Sequence, residues 1–234
     1  SISTYAYDNY MFGNTLYSTT KESRYVNSQL QWATVTNYEA ALEAGFLDNK
    51  IGFELAAYKK ITNDMLLYLP VQGLLGMDAP AQNAGSVENT GFDLSVFHNN
   101  RINKDLSYAL NFNLAYVRNE ITDMKGTEGA NPDDSKYWYL EGHSIGSFYG
   151  YEAIGYFNNA DELANQPKRT GKEKLGDIKY ADLNKDGKID AANDRKVIGQ
   201  NFPSWTAGFG ANFFYKDFDL SLFFQGAFDV DGYY

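Results

Sequence analysis

The clearest pattern in this chain is a strict alternation of apolar and polar residues. Between positions 106 and 116 the apolar residues are Leu106, Tyr108, Leu110, Phe112, Leu114 and Tyr116. Small or polar side chains occupy the positions between them, and a period of two predicts a β-strand. About eleven residues suit a tilted strand that crosses a bilayer, and aromatic residues near both ends are typical of transmembrane strands.

The same alternation predicts three hairpins closed by short turns. Residues 38–46 are expected to pair with 51–57 through the turn 47–50, and residues 92–96 with the 106–116 strand through 98–104. Residues 207–215 are expected to pair with 218–228 through Lys216 and Asp217. Two segments of alternating residues with a few turn-forming residues between them are the usual signature of a hairpin.

Much longer connections, about 62–90 and 118–205, separate these hairpins. Short turns alternating with long loops are characteristic of outer-membrane barrels, whereas a compact soluble domain rarely contains so long an excursion. Six predicted strands are fewer than the ~8 of the smallest membrane barrels. We therefore expect residues 30–234 to form a segment of a larger barrel, preceded in 1–29 by a loop or an irregular strand.

A soluble β-sandwich that binds carbohydrate and holds a structural calcium is the alternative. Its strands would also alternate, and Trp32, Trp138 and Trp205 could stack on sugars. The polar positions favour the barrel, because a water-filled lumen suits them better than a solvent face. These positions are Glu39, Glu43, Glu54, Asn111 and Asn113. The predicted fold class is therefore all-β, part of a large antiparallel transmembrane barrel with long extracellular loops.

Composition removes several classes of function. The chain has no cysteine, which excludes disulfides and thiolate sites, and its net charge of −10 argues against a nucleic-acid partner. No apolar run reaches the ~18 to 20 residues of a membrane helix. His98 and His143 lack any neighbouring pattern of a nucleophile or a metal-ligand pair, so no enzymatic activity is expected.

Residues 182–190 follow the beginning of an EF-hand-type calcium loop. Side-chain oxygens recur at alternate positions, a glycine permits the sharp turn, and a backbone carbonyl completes the sphere of a hard cation. The last acidic residue falls one position later than the motif requires, with Asn193 at the expected place. The predicted ligands of a structural calcium ion are Asp182, Asn184, Asp186, Lys188 through its carbonyl, Asp190 and Asp194.

An ordered series of segments resembles the C-terminal part of the barrel in SusC/RagA-type TonB-dependent transporters. The segments are 60–67, 83–92, 141–151, 176–180, 182–190, 194–199, Phe202-Pro203 and 216–226. Each segment alone is weakly specific, but the order of the whole series is highly specific. The series covers nearly all of the chain after about Leu30.

This resemblance implies a 22-stranded barrel in the outer membrane of a Gram-negative bacterium. It also implies a SusD-like surface lipoprotein as partner, and TonB acting through an N-terminal region absent from this sequence. The implied cargo is an oligosaccharide, or a peptide in some members, and the strands would contact outer-membrane lipid. None of these implications follows from periodicity or composition.

Overall fold

The fold is almost entirely β, as the alternation predicts. The computed structural model describes residues 5–22, 30–68, 81–83, 85–127, 129, 131 and 136–233. The strands are β1 (Tyr5–Phe12), β2 (Thr15–Glu22), β3 (Thr34–Phe46), β4 (Ile51–Asn63), β5 (Leu66–Tyr68), β6 (Ala81–Asn83), β7 (Ser86–Arg101), β8 (Leu106–Asp123), β9 (Tyr137–Trp138), β10 (Ser147–Tyr151), β11 (Ala153–Tyr156), β12 (Ile178–Tyr180), β13 (Arg195–Gln200), β14 (Trp205–Tyr215) and β15 (Phe218–Phe228), with one short helix, α1 (Ala160–Asn165).

Six of these strands form one antiparallel sheet, which we call the wall. Their order is β3-β4-β7-β8-β14-β15, so each strand pairs with its neighbour in the chain of hairpins. The tight turns at one end include left-handed residues, with φ of 56° at Asp48 and 55° at Lys216. Aspartate and asparagine tolerate this conformation better than most residues, which explains part of the turn chemistry. The three predicted hairpins are confirmed.

The register places most of the apolar residues of the six strands on one face of the wall, while Phe97, Phe214 and Phe223 lie on the opposite face. Leu55, Leu94 and Leu114 lie side by side across β4, β7 and β8, and Ala207 continues the row on β14. We call this the outer face and the opposite one the inner face. Outer-face side chains remain exposed, for example 58% at Leu42 and 61% at Phe224. This exposure differs from the covered core of a β-sandwich and suits a face turned to lipid.

Aromatic rings border the outer face at both ends. At the loop end Trp205 packs against Tyr116 with ring centroids 4.5 Å apart and against Phe92 at 5.9 Å. At the turn end Tyr108 packs against His98 at 5.3 Å and against Phe213 at 6.4 Å. The strand between Tyr108 and Tyr116 spans about 27 Å at about 3.4 Å per residue, which suits the ~25 Å apolar band of outer-membrane barrels.

Strands β7 and β8 extend beyond the predicted boundaries. They continue to pair as far as Ser86 and Asp123, so the long connections run over 64–85 and 124–204 and the predicted limits of 90 and 118 are corrected. The apolar alternation stops near Tyr116 because the strands leave the lipid there. Pairing continues because Val87 and Ile121 pack with Met124 into a buried core, flanked by Met65, Tyr139 and Ile145.

The region of 1–29 that the structure describes contains a regular hairpin, a correction to the predicted loop or irregular strand. Strands β1 and β2 pair without a break from Tyr5 and Glu22 to Phe12 and Thr15. Gly13 has φ of 60°, a conformation that glycine adopts without steric cost. The dipeptide Gly13-Asn14 is a recognised hairpin signal, and it was available in the sequence.

The long connection 124–204 folds into small elements of its own. It contributes a three-stranded sheet, β13-β10-β9, and a ribbon, β11-β12. Phe157 and Ile189 are buried in it, at 2% and 4% exposure. Helix α1 begins at an Asn159 cap whose side chain accepts a hydrogen bond from the Glu162 N–H. In the described part of the chain, no helix has the length and apolar character needed to cross a membrane.

Candidate functional site: inner face and loop surface

The inner face of the wall carries a polar groove of about 360 Å³. Its polar lining consists of Glu54, Asp93, Ser95, Asn113 and Thr206. These side chains lie at alternate positions to the apolar residues of the outer face, as the pleat of a strand requires. Glu43 and Glu54 are direct cross-strand partners on the same face. The groove therefore offers hydrogen bonds to a neutral polar solute and a negative field to an anion.

Two glycines of β14 shape this inner face. A Cβ atom at Gly208 would collide with the Asn113 side chain, and one at Gly210 would collide with the Asn111 side chain. The two asparagines therefore lie across the glycines, flat against the wall. This close approach explains why β14 carries glycine at alternate positions despite its unfavourable strand propensity.

Asparagine side chains tie the loops to the ends of the strands. Asn119 of β8 donates to the Asn89 Oδ1 at 2.7 Å and accepts from the Ile145 N–H at 2.8 Å and the Ser144 hydroxyl at 3.1 Å. Asn83 donates to the carbonyls of Gln31 and Asp64, both at 2.8 Å. The loop surface is thus held to the wall by partly buried polar contacts as well as by its apolar core.

Four aromatic rings line one stretch of the loop surface, which we call the aromatic strip: Trp138, Tyr149, Tyr151 and Tyr180. Trp138 and Tyr149 have ring centroids 5.0 Å apart, and Tyr151 and Tyr180 lie 5.4 Å apart. Tyr149 and Tyr151 alternate on β10 and so share one face of the small sheet. Their alternation across Gly150 was the sequence signal for the strip, and sequence reasoning did not use it.

Two arginines stack on the aromatic strip. The guanidinium carbon of Arg195 lies 5.2 Å from the Tyr149 centroid and 5.4 Å from that of Trp138. The corresponding carbon of Arg169 lies 4.8 Å from the Tyr151 centroid. Arg195 and Tyr151 are direct cross-strand partners, which joins the two halves into one continuous surface.

The three tryptophans considered as sugar platforms do not come together. Trp138 belongs to the aromatic strip, whereas Trp205 packs against Tyr116 at the loop end of the outer face. Trp32 precedes β3 and is 90% exposed. Tertiary structure therefore places Tyr149 beside Trp138 and extends the aromatic strip through Tyr151 to Tyr180, whereas the other two tryptophans lie elsewhere.

The calcium-like segment, here called the 182–194 loop, is closed by its own hydrogen bonds. The Asp182 carboxylate accepts from the Gly187 N–H at 2.8 Å and the Asp186 N–H at 3.2 Å. Gly187 has φ of 86°, a conformation that favours glycine. The Asn184 amide, which donates at 3.0 Å, and then the Lys188 N–H lower the pKa of Asp186 below its usual value, so this group is a carboxylate at neutral pH.

Asp194 occupies a different place from the other predicted ligands. It is fully buried, and its carboxylate accepts from the Leu183 N–H at 2.9 Å and the Asp190 N–H at 2.7 Å. Asp194 therefore clamps the two ends of the 182–194 loop together. Asn184, Asp186 and Lys188 lie exposed, while Asp182 and Asp190 are half-buried.

The donor set of the 182–194 loop fits a hard cation in chemistry, since it offers carboxylate, amide and carbonyl oxygens around a tight turn. Each carboxylate oxygen that accepts one N–H retains a second lone pair. Within the described residues, no group of three or more acidic, histidine or cysteine side chains is arranged to hold a metal. Calcium at this loop thus stays a prediction.

Both histidines make contacts that belong to the packing and hydrogen bonding of the fold. His98 packs edge-on against Tyr108 in the aromatic border of the wall. His143 is exposed, and its backbone N–H donates to the Leu140 carbonyl at 3.1 Å while its carbonyl accepts from the Ile121 N–H at 2.9 Å. Neither ring is placed beside a serine hydroxyl or a carboxylate by any contact of the described residues.

An apolar outer face, a polar inner face and long loops at one end together define a segment of an outer-membrane β-barrel. A family model described as TonB dependent receptor-like, beta-barrel matches residues 3–234, so this chain belongs to the TonB-dependent receptor family. TonB-dependent receptor P3 of Formosa agariphila is 30% identical over 211 residues, covering 87% of this chain and 21% of that receptor. TonB-dependent receptor SusC of Bacteroides thetaiotaomicron is 27% identical, covering 97% of this chain and 22% of that receptor.

A solved structure shows the same fold. The RagAB peptide importer in its closed-closed state superimposes with a TM-score of 0.73 at 24% identity, covering 98% of this chain and 24% of that chain. The SusC/RagA-like resemblance, the all-β barrel fold and the outer-membrane location are thereby confirmed. The chain spans about a fifth of the length of these curated relatives, at 21% and 22%.

Proposed function

We propose that this chain supplies barrel wall and extracellular loops to a non-enzymatic importer of oligosaccharides, driven by TonB. The observation that carries the proposal is the wall itself, with lipid-suited side chains on one face and a polar groove on the other. Such a wall separates lipid from an aqueous path, and the family to which it belongs consists of TonB-dependent receptors.

Oligosaccharides are favoured as cargo by the aromatic strip. Flat, partly exposed rings with polar tips offer an apolar surface to the C–H faces of sugars while their hydroxyl groups remain in water. Peptides are the second candidate, since the structural relative is described as a peptide importer. The groove of the inner face, rich in carboxylate and amide oxygens, can hydrogen-bond either cargo as it passes.

A SusD-like surface lipoprotein is the proposed partner, seated over the loops that carry the aromatic strip. This proposal comes from the likeness to SusC and to the RagAB complex. TonB would act on the N-terminal region of the full receptor.

Whole cells provide the test of import. Cells that express the full-length receptor should accumulate a fluorescent oligosaccharide, whereas cells without the receptor or without TonB should not. A parallel assay with labelled peptides separates the two cargo classes. Uptake that persists without TonB would contradict the proposal, and uptake of peptides alone would replace the oligosaccharide with the second candidate.

We also propose that calcium holds the 182–194 loop in one shape, through the side chains of Asp182, Asn184, Asp186 and Asp190 and the Lys188 carbonyl. A divalent ion would offset the repulsion among the carboxylates, and Asp194 would hold the ends of the loop. The role is structural, so the prediction concerns loop order and not the assembly of the wall.

Limited proteolysis of the full-length receptor tests this prediction. We expect a chelator, or Asp182→Asn with Asp186→Asn, to speed cleavage within 182–194 at least severalfold. Asp161→Asn, on the exposed first turn of α1, is the matched control and should leave cleavage unchanged. Equal cleavage with calcium and with chelator would contradict the calcium proposal.

A further inference from the structure

The aromatic strip carries positive charge in a chain whose net charge is −10. Lys179 and Lys196 each pair with a glutamate, at 2.9 Å and 2.6 Å. Arg169 and Arg195 differ, since among the described residues neither has a carboxylate within ion-pair distance and both lie over tyrosine rings. The charge of these two guanidinium groups is therefore not offset by an ion pair within the described residues.

Stacking leaves the binding edge of a guanidinium open. Arg195 uses its Nε to donate to the Ala191 carbonyl at 2.7 Å, and its plane rests on the rings of Trp138 and Tyr149. Its two terminal NH₂ groups have no partner among the described residues. This is the arrangement in which arginine binds a carboxylate or sulfate through two parallel hydrogen bonds, with its orientation fixed in advance.

Grooves on the loop surface lie along the strip. One groove of about 370 Å³ is lined by Arg169, Lys172 and Tyr180 together with Glu173 and Asp177. Another of about 660 Å³ is lined by Tyr149, His143 and Lys196 together with Glu141. The segment 168–174 adds Lys168 and Lys174 to its other basic residues, with Glu173 as its acidic member. Space for sugar units therefore lies beside the strip, where Arg169 and Arg195 have no ion pair among the described residues.

We propose that the aromatic strip binds anionic oligosaccharides, with sugar faces on the rings and their acidic groups on Arg169 and Arg195. This inference rests on the proposed import function and names the class of its cargo. The inner-face groove is negative, so the anionic ligand is captured on the loop surface, where Arg169 and Arg195 offer complementary charge, before it enters the lumen. Aromatic stacking alone would select sugars in general, and the two arginines select their acidic members.

Calorimetric titration of the full-length receptor in detergent tests the inference. The probes are an oligogalacturonate, the same oligomer as its neutral methyl ester, and a sulfated galactan oligomer. We expect an acidic oligomer to bind at least tenfold more tightly than the ester, a difference of about 1.4 kcal/mol, because only the acid can form charge-assisted hydrogen bonds with the arginines. Comparison of the uronate and sulfate arms identifies which acidic group the arginines take.

Substitutions test whether the aromatic strip is responsible for the difference in affinity between acid and ester. Arg169→Gln and Arg195→Gln should each weaken binding of the preferred acid about tenfold and leave the ester unaffected, and Arg195→Lys should restore part of the loss. Arg118→Gln makes the same change in charge away from the strip and should bind as the parent does. A heat-shifted band on a gel verifies that each variant has an intact barrel.

Three results would overturn the inference: equal binding of acid and ester, unchanged binding by both arginine variants, or the same loss in Arg118→Gln. These outcomes leave the import function standing as long as cells still take up neutral oligosaccharides in a TonB-dependent way. Absence of all TonB-dependent uptake would instead remove the import function, whatever the titrations give.

Discussion

Single polar side chains, buried or partly buried, decide the shape of the loops. Asn119 joins β7, β8 and the loop around Ser144 through three hydrogen bonds, and Asp194 joins the two ends of the 182–194 loop. A buried acceptor of this kind is costly to remove, because the donors it served are left without partners. The exposed oxygens of Asn184 and Asp186 matter less to the fold and more to the cation chemistry.

Asp194→Ala should loosen the 182–194 loop without unfolding the wall. The N–H groups of Leu183 and Asp190 would lose their charged acceptor, at a cost of about 1.5 to 3 kcal/mol each. Hydrogen exchange at these two amides should accelerate by at least about tenfold. Exchange that stays at the parent rate, measured beside Asp161→Ala as a control, would show that Asp194 does not clamp the loop.

The strands and the helix of this protein begin and end where the environment of the chain changes. Strand β7 begins and strand β8 ends in the buried core of Val87, Ile121 and Met124, and the remainder of both strands lies in the lipid band. Helix α1 has only six residues and no buried ones, so its position depends on polar contacts, chiefly the 2.9 Å ion pair of Glu162 with Lys179 of β12. Short elements of this kind are held by tertiary contacts because their own hydrogen bonds cannot stabilise them.

Acidification should release α1 from β12. The Asn158 N–H and then the Lys179 ammonium lower the pKa of Glu162 below its ordinary value of 4.5. The folded state thus favours the carboxylate, so this stabilisation is complete above pH 4.5 and is lost as pH falls through the lowered pKa. Exchange of the α1 amides should rise over that range.

Glu162→Gln removes the charge and should abolish the pH dependence, with fast exchange of the α1 amides already at neutral pH. Glu152→Gln, at the neighbouring ion pair with Lys196, is the control and should leave α1 unchanged. An identical acid response in Glu162→Gln would assign the transition to another group.

At the scale of the whole molecule, the decisive property is the separation of the two faces of the wall. Leu94 and Ser95 are consecutive in β7, yet one side chain belongs to the apolar outer face and the other to the polar groove. A one-residue slip of register would exchange the faces of an entire strand, so pairing and membrane insertion depend on each other.

Leu94→Arg should therefore impair assembly of the full receptor in the outer membrane, while Ser95→Arg is tolerated. Arginine on the lipid side near mid-membrane costs about 2 to 4 kcal/mol. At position 95 it would face water and lie across from Glu54, its cross-strand neighbour. The heat-shifted fraction on a gel of outer membranes measures assembly. Equal losses in the two variants would contradict our assignment of the faces.

The wall could be predicted from the sequence because the features that specify it lie close together along the chain. Alternation over residues such as Leu106 and Phe112 specifies which side chains share a face, and the turn residues specify where strands reverse. The dipeptide Gly13-Asn14 likewise indicates the hairpin β1-β2. The mixture of aromatic and polar residues in these two strands obscures their alternation. Family resemblance then added the outer-membrane location and the expected number of strands, and it is the basis of the proposed partners; periodicity contains none of these.

Tertiary structure alone decided the loop surface. Trp138, Tyr149 and Tyr180 come from three separate strands, and only the pairing of β9, β10 and β13 and the contact of β12 with β11 bring them beside Arg195 and Arg169. In the sequence, Asp194 lies one position beyond the last ligand of the calcium motif. Its role in holding the loop together follows only from its burial in the folded structure. Long-range contacts of this kind depend on chain closure across tens of residues, for which a linear pattern carries no signal.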